Sequence, residues 1–358
     1  MNTLGNKLRV TVFGQSHAPA IGCVVEGLPA GFAPDMEKLA AFMARRAPGQ
    51  NAWSTNRKES DIPEVLSGLV EGRTCGAPVA AVIRNNDHHS KDYSGLRRTP
   101  RPSHADYTAF IKWGDDYDIR GGGQFSGRLT APLCFAGGLA LQLLEARGVT
   151  VAAHIDQIAG VSDTAPDFAA VDRADLTALL KKPFPVFADG AGMAMRQASE
   201  AARMDADSVG GVIRCFALGF PAGVGEPMFA GVENRLAGAL FGIPAVRGVS
   251  FGAGFAAAGM RGSAHNDPFH MDAGRVAART NHAGGVLGGI TTGMPLVVNV
   301  GVKPTASISR EQDTVDLETG EDAKLVIHGR HDPCIVPRAV PVVEAVTALT
   351  LFDMLLEG

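Results

Sequence analysis

Three glycines in a row, Gly121 to Gly123, place the strongest local constraint on how this chain can fold. Lacking Cβ atoms, they can adopt left-handed backbone conformations and bring bare N–H groups close to an anion. Their surroundings are charged and polar: Arg101, Pro102, Ser103 and His104 come before them, Arg120 adjoins them, and Ser126 and Arg128 follow. The apolar run after Ser126 reads as a helix whose positive N-terminus faces the same ligand, so a phosphate suits the place. His104 adds a side chain that exchanges a proton near neutral pH. Anion binding joined to proton transfer predicts an enzyme.

Glycine is the compositional outlier of the 358 residues, with 44 of them, many in doublets and triplets, so backbone must approach something closely at several places. With 46% hydrophobic and 20% charged residues the chain predicts an ordinary globular protein with a large core. No linker divides it, and we expect one domain over 1–358. A net charge of −4 argues against partners such as nucleic acid or an anionic membrane. The five cysteines lack any Cys-x-x-Cys pair and read as reduced core residues, so no metal is expected. The N-terminus has no apolar leader pattern and no apolar run is long enough to span a membrane, which predicts a cytoplasmic location.

Leu8–Phe13 and Cys23–Leu28 read as strands, and Asp35–Arg46 and Leu129–Arg147 as helices. Later, His270–Asn281 predicts a helix, Leu296–Val302 a strand ending at Lys303-Pro304, and Lys324–His328 a strand ending at Gly329-Arg330-His331-Asp332. A last helix is expected over Val342–Leu356, starting after Pro341 and packed on a sheet.

Candidate site residues gather at these ends. His17 lies in a polar turn after a strand, where catalytic side chains are commonly displayed; a surface or capping histidine is the plainer alternative. Arg97, Arg98, Arg101, Arg120 and Arg128 bracket the triple glycine and suit carboxylate or phosphate, the alternative being solvated pairs with aspartates such as Asp115 and Asp116. Arg45, Arg46 and Arg57 flank the Pro48-Gly49 turn, and the first two would also offset a helix dipole. Lys303, Thr305 and Ser307 offer an ammonium and two hydroxyls to a terminal phosphate, whereas Asn281–Gly293 is glycine-rich without a dinucleotide-binding pattern.

Seven segments in order carry a wider likeness: Phe13 to His17, Arg101 to Tyr107, Arg120 to Gly123, Gly262 to Asp267, Thr280 to Gly285, Lys303 to Thr305 and Gly329 to Pro333. Together they resemble the chorismate synthase family over nearly the whole chain. The resemblance implies an α+β fold, a β-α-β sandwich, in a homotetramer that converts the small-molecule substrate 5-enolpyruvylshikimate-3-phosphate into chorismate and phosphate. It implies reduced FMN as cofactor without net redox change, and NADPH as a reductant associated with Arg46. By that likeness His17 protonates the departing phosphate, His104 is the acid towards the flavin, and Asp332 assists proton removal. Arg46, Arg101, Arg128 and Arg330 would clamp the substrate. Gln124, Phe125, Ser126, Pro244, Ala245, Gly288, Lys303, Pro304, Thr305, Ala306, Ser307 and Arg330 would contact the cofactor.

This chain departs from the family pattern at Ala47 and Ala52, where arginines are common, and at Gln124, Phe125 and Leu129, where arginine, serine and glutamate are common. Two rival readings remain at this level. One is an FMN-dependent oxidoreductase acting on a small anion; the other is a non-catalytic flavin or phosphometabolite binder, which has no need of His17, His104 and Asp332.

Overall fold

A computed structural model describes residues 2–49, 61–85, 96–164, 166–327 and 332–357. Two five-stranded sheets, antiparallel throughout, enclose a layer of helices, the β-α-β sandwich of an α+β protein. Across the first sheet the strands run Thr3–Leu4, Arg9–Gly14, Ala20–Glu26, Val79–Arg84 and Glu64–Ser67. Across the second they run Val246–Phe251, Leu296–Val302, Gly211–Leu218, Thr150–Ile158 and Val161–Ser162. Ile213 sits at its centre, opposite Val300 on one side and Ile155 on the other.

The helices Thr130–Glu145 and Val336–Leu355 fill the space between the sheets and are apolar almost all round, because each has protein on several sides. Gly137 lets them meet: a Cβ there would fall 2.3 Å from the Cβ of Ala345. The first of the two is 16 residues long, shorter than the roughly 20 that a membrane span needs, and the sheets cover it.

Two buried carboxylates on Val336–Leu355 tie the layers together. Glu344 accepts from both terminal nitrogens of Arg45, at 2.5 and 3.0 Å, and from the backbone N–H of Ala153 in the second sheet at 2.9 Å. Asp353 accepts from the N–H groups of Asn6, Lys7 and Leu8 at 2.7–2.9 Å and pairs with Arg235. Arg45 is therefore a structural residue.

Four sequence expectations change. His270–Asn281 is not a helix but the hairpin Phe269–Asp272 and Arg275–Ala278, turned by Ala273 and Gly274 at φ 43° and 82°, the left-handed pair of a tight two-residue turn. The last helix begins at Val336, with Pro341 inside it. Burial of nearly every residue from Val340 to Met354 outweighs the roughly 3 kcal/mol that an interior proline costs. The strand expected at Lys324–His328 is Asp322–Leu325, paired with Gln312–Val315; residues 328–331 lie outside the described set. Of the five cysteines, Cys75 is exposed rather than in the core; all five are unbridged.

Replacing Asp353 by alanine strips three backbone donors and Arg235 of a shared buried acceptor. We expect a loss of about 3 kcal/mol in chemical denaturation at fixed protein concentration. A loss below about 1 kcal/mol would show that other contacts hold the N-terminal loop.

Candidate active site

The glycine turn is the floor of the site. Gly121, Gly122 and Gly123 have φ of 59°, 84° and 54°, a left-handed run in which each L-residue would cost roughly 1–2 kcal/mol. A Cβ on Gly121 would fall 2.3 Å from Cε1 of His17 and 2.5 Å from Oγ of Ser16; one on Gly122 would lie 3.4 Å from Nε2 of His104. The missing side chains therefore make room for two histidines. The expectation of bare N–H groups turned to an anion is met only in part, since the N–H of Gly122 donates to the carbonyl of Ile119 at 3.0 Å. The helix expected directly after Ser126 is also delayed: a short 3-10 turn, Gly127–Leu129, intervenes, and Oγ of Ser126 caps it by accepting from the N–H of Arg128.

His17 lies in the turn between Arg9–Gly14 and Ala20–Glu26, held to the glycines by a bond from the N–H of Ser16 to the carbonyl of Gly123 at 3.1 Å. Among the described residues the buried hydroxyl of Ser16 has no hydrogen-bond partner, and it faces the same turn. Asn85, just after the Val79–Arg84 strand, donates to the carbonyl of Ala18 at 2.7 Å and accepts from Nε of Arg128 at 3.0 Å. The histidine turn and Arg128 are thereby placed by one side chain.

His104 is oriented from the other side. Its Nδ1 donates to Oδ1 of Asp106 at 2.7 Å, while Arg101 engages both oxygens of the same carboxylate at 2.7 and 2.8 Å. Burial is the largest influence on Asp106 and pushes its pKa up. The bonds and charges of Arg101 and His104 together outweigh it and hold the carboxyl well below the usual aspartate range. With Nδ1 committed to Asp106, Nε2 is the nitrogen left to exchange a proton.

Asp61, buried and at φ 49°, pairs with Arg46 through one carboxylate oxygen and with Arg128 through the other. The C-terminal segment closes the cluster. Ser307 accepts from Arg101 at 3.1 Å, the hydroxyl of Thr305 donates to the carbonyl of Asp332 at 3.2 Å, and the N–H of Lys303 donates to Ala245 at 3.0 Å. Burial, then the charge of Arg247, pushes the Lys303 pKa down. Asp332 itself pairs with Arg338.

The structure thus brings together His17, His104, Arg46, Arg101, Arg128, Ser307, Thr305, Lys303, Ala245 and Asp332. Other expected residues have different surroundings. Arg97, Arg98 and Arg120 form outer pairs with Asp115, Asp316 and Asp118, so the plainer reading holds for them. Gln124 points to solvent, the ring of Phe125 packs 6.1 Å from that of Trp113, Pro304 is exposed, and Gly288 sits in the turn of a separate hairpin. Arg57, Ala52, Arg330 and His331 lie outside the described residues. A cavity of about 240 Å³ beside Arg45, Lys182 and Pro337 is not the site, since Glu344 and Asp189 already balance its two cations. No group of three or more metal-ligating side chains occurs among the described residues. Sequence reasoning missed Asp61, Asn85 and Arg338, which stand in no pattern of their own and are brought to the cluster only by chain folding; Ser16 lies in the quoted Phe13 to His17 segment but was given no role.

A model of the chorismate synthase family matches residues 8–356. The chorismate synthase of Archaeoglobus fulgidus is 47% identical, the alignment covering all of this chain and 98% of that protein. That of Lancefieldella parvula is 44% identical over 99% of this chain and 96% of its own length. A crystal structure of chorismate synthase superposes with a TM-score of 0.76 at 25% identity, covering 99% of this chain and 92% of that one.

Gly121→Ala should push His17 off its place without unfolding the sandwich, and we expect turnover to fall by about 100-fold with the circular dichroism spectrum retained. Near wild-type turnover would show that the turn tolerates a Cβ. Asp106 supports a pH test. Its folded pKa is depressed, so its stabilising effect is complete above its ordinary value of 3.8 and declines as the pH falls from there towards the folded value. Asp106→Asn should therefore be clearly less stable than wild type at pH 7, with the gap narrowing below pH about 4.

Proposed function

The chain belongs to the chorismate synthase family, and from that premise we propose how its own residues serve the family's reaction. The reaction is a lyase step, an anti-1,4-elimination from 5-enolpyruvylshikimate-3-phosphate that yields chorismate, the last common intermediate of aromatic amino acid biosynthesis. The C–O bond to phosphate breaks with its electron pair leaving on phosphate, a C–H bond breaks at a non-acidic carbon, and no net oxidation results.

The substrate is small and highly anionic, which suits a cluster holding the buried guanidiniums of Arg46, Arg101 and Arg128. Arg101 also bonds Ser307 and Arg128 also bonds Asn85, so carboxylate and phosphate oxygens of the substrate would join or displace these contacts; Arg330 would add a fourth clamp. His17 holds the proton for the departing phosphate. His104 holds a proton at Nε2, and Asp332 receives the proton lost from carbon.

The residues present fit reduced FMN. Lys303 has Arg247, another cation, as its charged neighbour, a pair suited to a phosphate. Lys303, Thr305, Ser307 and Ser126 would hold it. When bound, it supplies an electron transiently and takes one back, the hard part of the chemistry. The same reading takes 1–358 as one domain in a cytoplasmic homotetramer with NADPH as a reductant. The exposed Met228, Phe229 and Phe255 support assembly, and five unbridged cysteines support a reducing compartment.

One observation carries the residue roles: His17 and His104 pack on the same glycine turn, and the Asp332 segment is tied to it through Thr305, Ser307 and Arg101. The test is an anaerobic assay with 5-enolpyruvylshikimate-3-phosphate and FMN reduced by dithionite or by NADPH alone. Chorismate and phosphate should appear in equal amounts in the dithionite arm, and His17→Ala and His104→Ala should each slow single turnovers about 10²–10⁴-fold. Oxidised flavin with a reduced product would move the chain to the oxidoreductase reading, and unchanged turnover in either variant would remove that histidine's role.

A further inference from the structure

Arg338 stands in the first turn of the Val336–Leu355 helix, and its side chain reaches two parts of the cluster at once. Nη1 donates to Oδ2 of Asp332, and Nε donates to the backbone carbonyl of Arg46 at 3.1 Å. That carbonyl belongs to the last turn of Met36–Arg46, where helical carbonyls lack partners of their own. The side chain of the same Arg46 lies on Asp61 together with Arg128. One planar group thus sets the position of the Asp332 carboxylate relative to the buried arginine pair.

Stability alone gives little reason for a cation there. Burial pushes the Arg338 pKa down; the Asp332 carboxylate opposes this, and the positive charge of Arg46 adds to it. An ion pair held in such surroundings stabilises a fold less well than apolar packing of the same volume, whereas it does fix geometry. A lysine would supply charge without the fork that spans a carboxylate and a carbonyl.

We infer that Arg338 is the positioning residue for Asp332, holding its carboxylate in one orientation to receive the proton that leaves the substrate. The inference rests on the role given to Asp332 above. It adds a residue that neither touches the reacting atoms nor stands in any motif quoted from the sequence.

The experiment is a double-mutant cycle on the full chain: Arg338→Gln, Arg338→Lys, Asp332→Asn and the Asp332→Asn/Arg338→Gln pair. Each is assayed anaerobically with 5-enolpyruvylshikimate-3-phosphate and reduced FMN, with FMN affinity and thermal unfolding measured alongside. Arg338→Gln should lower kcat about 10- to 100-fold while KM stays within about threefold, and Arg338→Lys should recover part of the loss. The double variant should be no slower than Asp332→Asn alone, because a residue acting through Asp332 has nothing left to position. A full additional loss in the double variant, or wild-type kcat in Arg338→Gln beside an impaired Asp332→Asn, would overturn this inference alone. Wild-type turnover in Asp332→Asn would overturn the role of Asp332 and this inference with it. Should Arg338→Gln fail to fold, Arg338→Lys carries the same comparison, and its loss must likewise vanish in the Asp332→Asn background.

Discussion

Buried guanidinium groups are the constraint around which this molecule is organised. A recess that binds an anion of several charges needs arginines below its surface, yet each one taken out of water without a counter-charge costs several kcal/mol. The chain answers with aspartates from distant segments: Asp61 for Arg46 and Arg128, Asp106 for Arg101, Asp332 for Arg338. Three carboxylates thus serve four guanidiniums, which leaves the cluster with excess positive charge for an anion, and the arginines are held in place before substrate arrives. Little reorganisation is then left for the binding step, the general advantage of a preorganised polar site.

The sandwich supplies the fixed frame for these pairs. Arg46 ends a helix of the central layer, Asp332 and Arg338 bracket the start of another, and His17 and Asn85 sit at strand ends of the first sheet. Lys303 ends a strand of the second sheet. The site therefore gathers where all three layers terminate, and Glu344 and Asp353 secure those layers by binding backbone N–H groups across them. Precision at the site and cohesion of the fold use the same device, a buried carboxylate shared between segments far apart in sequence.

That device explains what sequence reading could and could not reach. The glycine turn, the His17 turn and the Arg101 to Asp106 step are contiguous, so residue type and order were enough to single them out. Asp61, Asn85 and Arg338 are joined to the site only by folding, and no local pattern marks them. Arg97, Arg98 and Arg120 were grouped with Arg101 and Arg128 because they are neighbours in the chain; which side of the loop each faces depends on Asp115, Asp316 and Asp118, and only the folded chain shows it. The hairpin at 269–278 stands in place of the helix predicted over His270–Asn281, because Ala273-Gly274 form a tight turn and Met271 pairs with Val276, both side chains exposed.

The departures from the family pattern also follow from charge and burial. Gln124 faces solvent, the ring of Phe125 lies 6.1 Å from that of Trp113, and Leu129 packs on the apolar core. The histidine side keeps its glycines, Ser126 and Arg128. Ala47 is buried at the end of Met36–Arg46, its N–H bonded to the carbonyls of Met43 and Ala44. An arginine at this buried position would be a further guanidinium taken out of water, at a cost of several kcal/mol unless it met its own counter-charge, whereas alanine carries none.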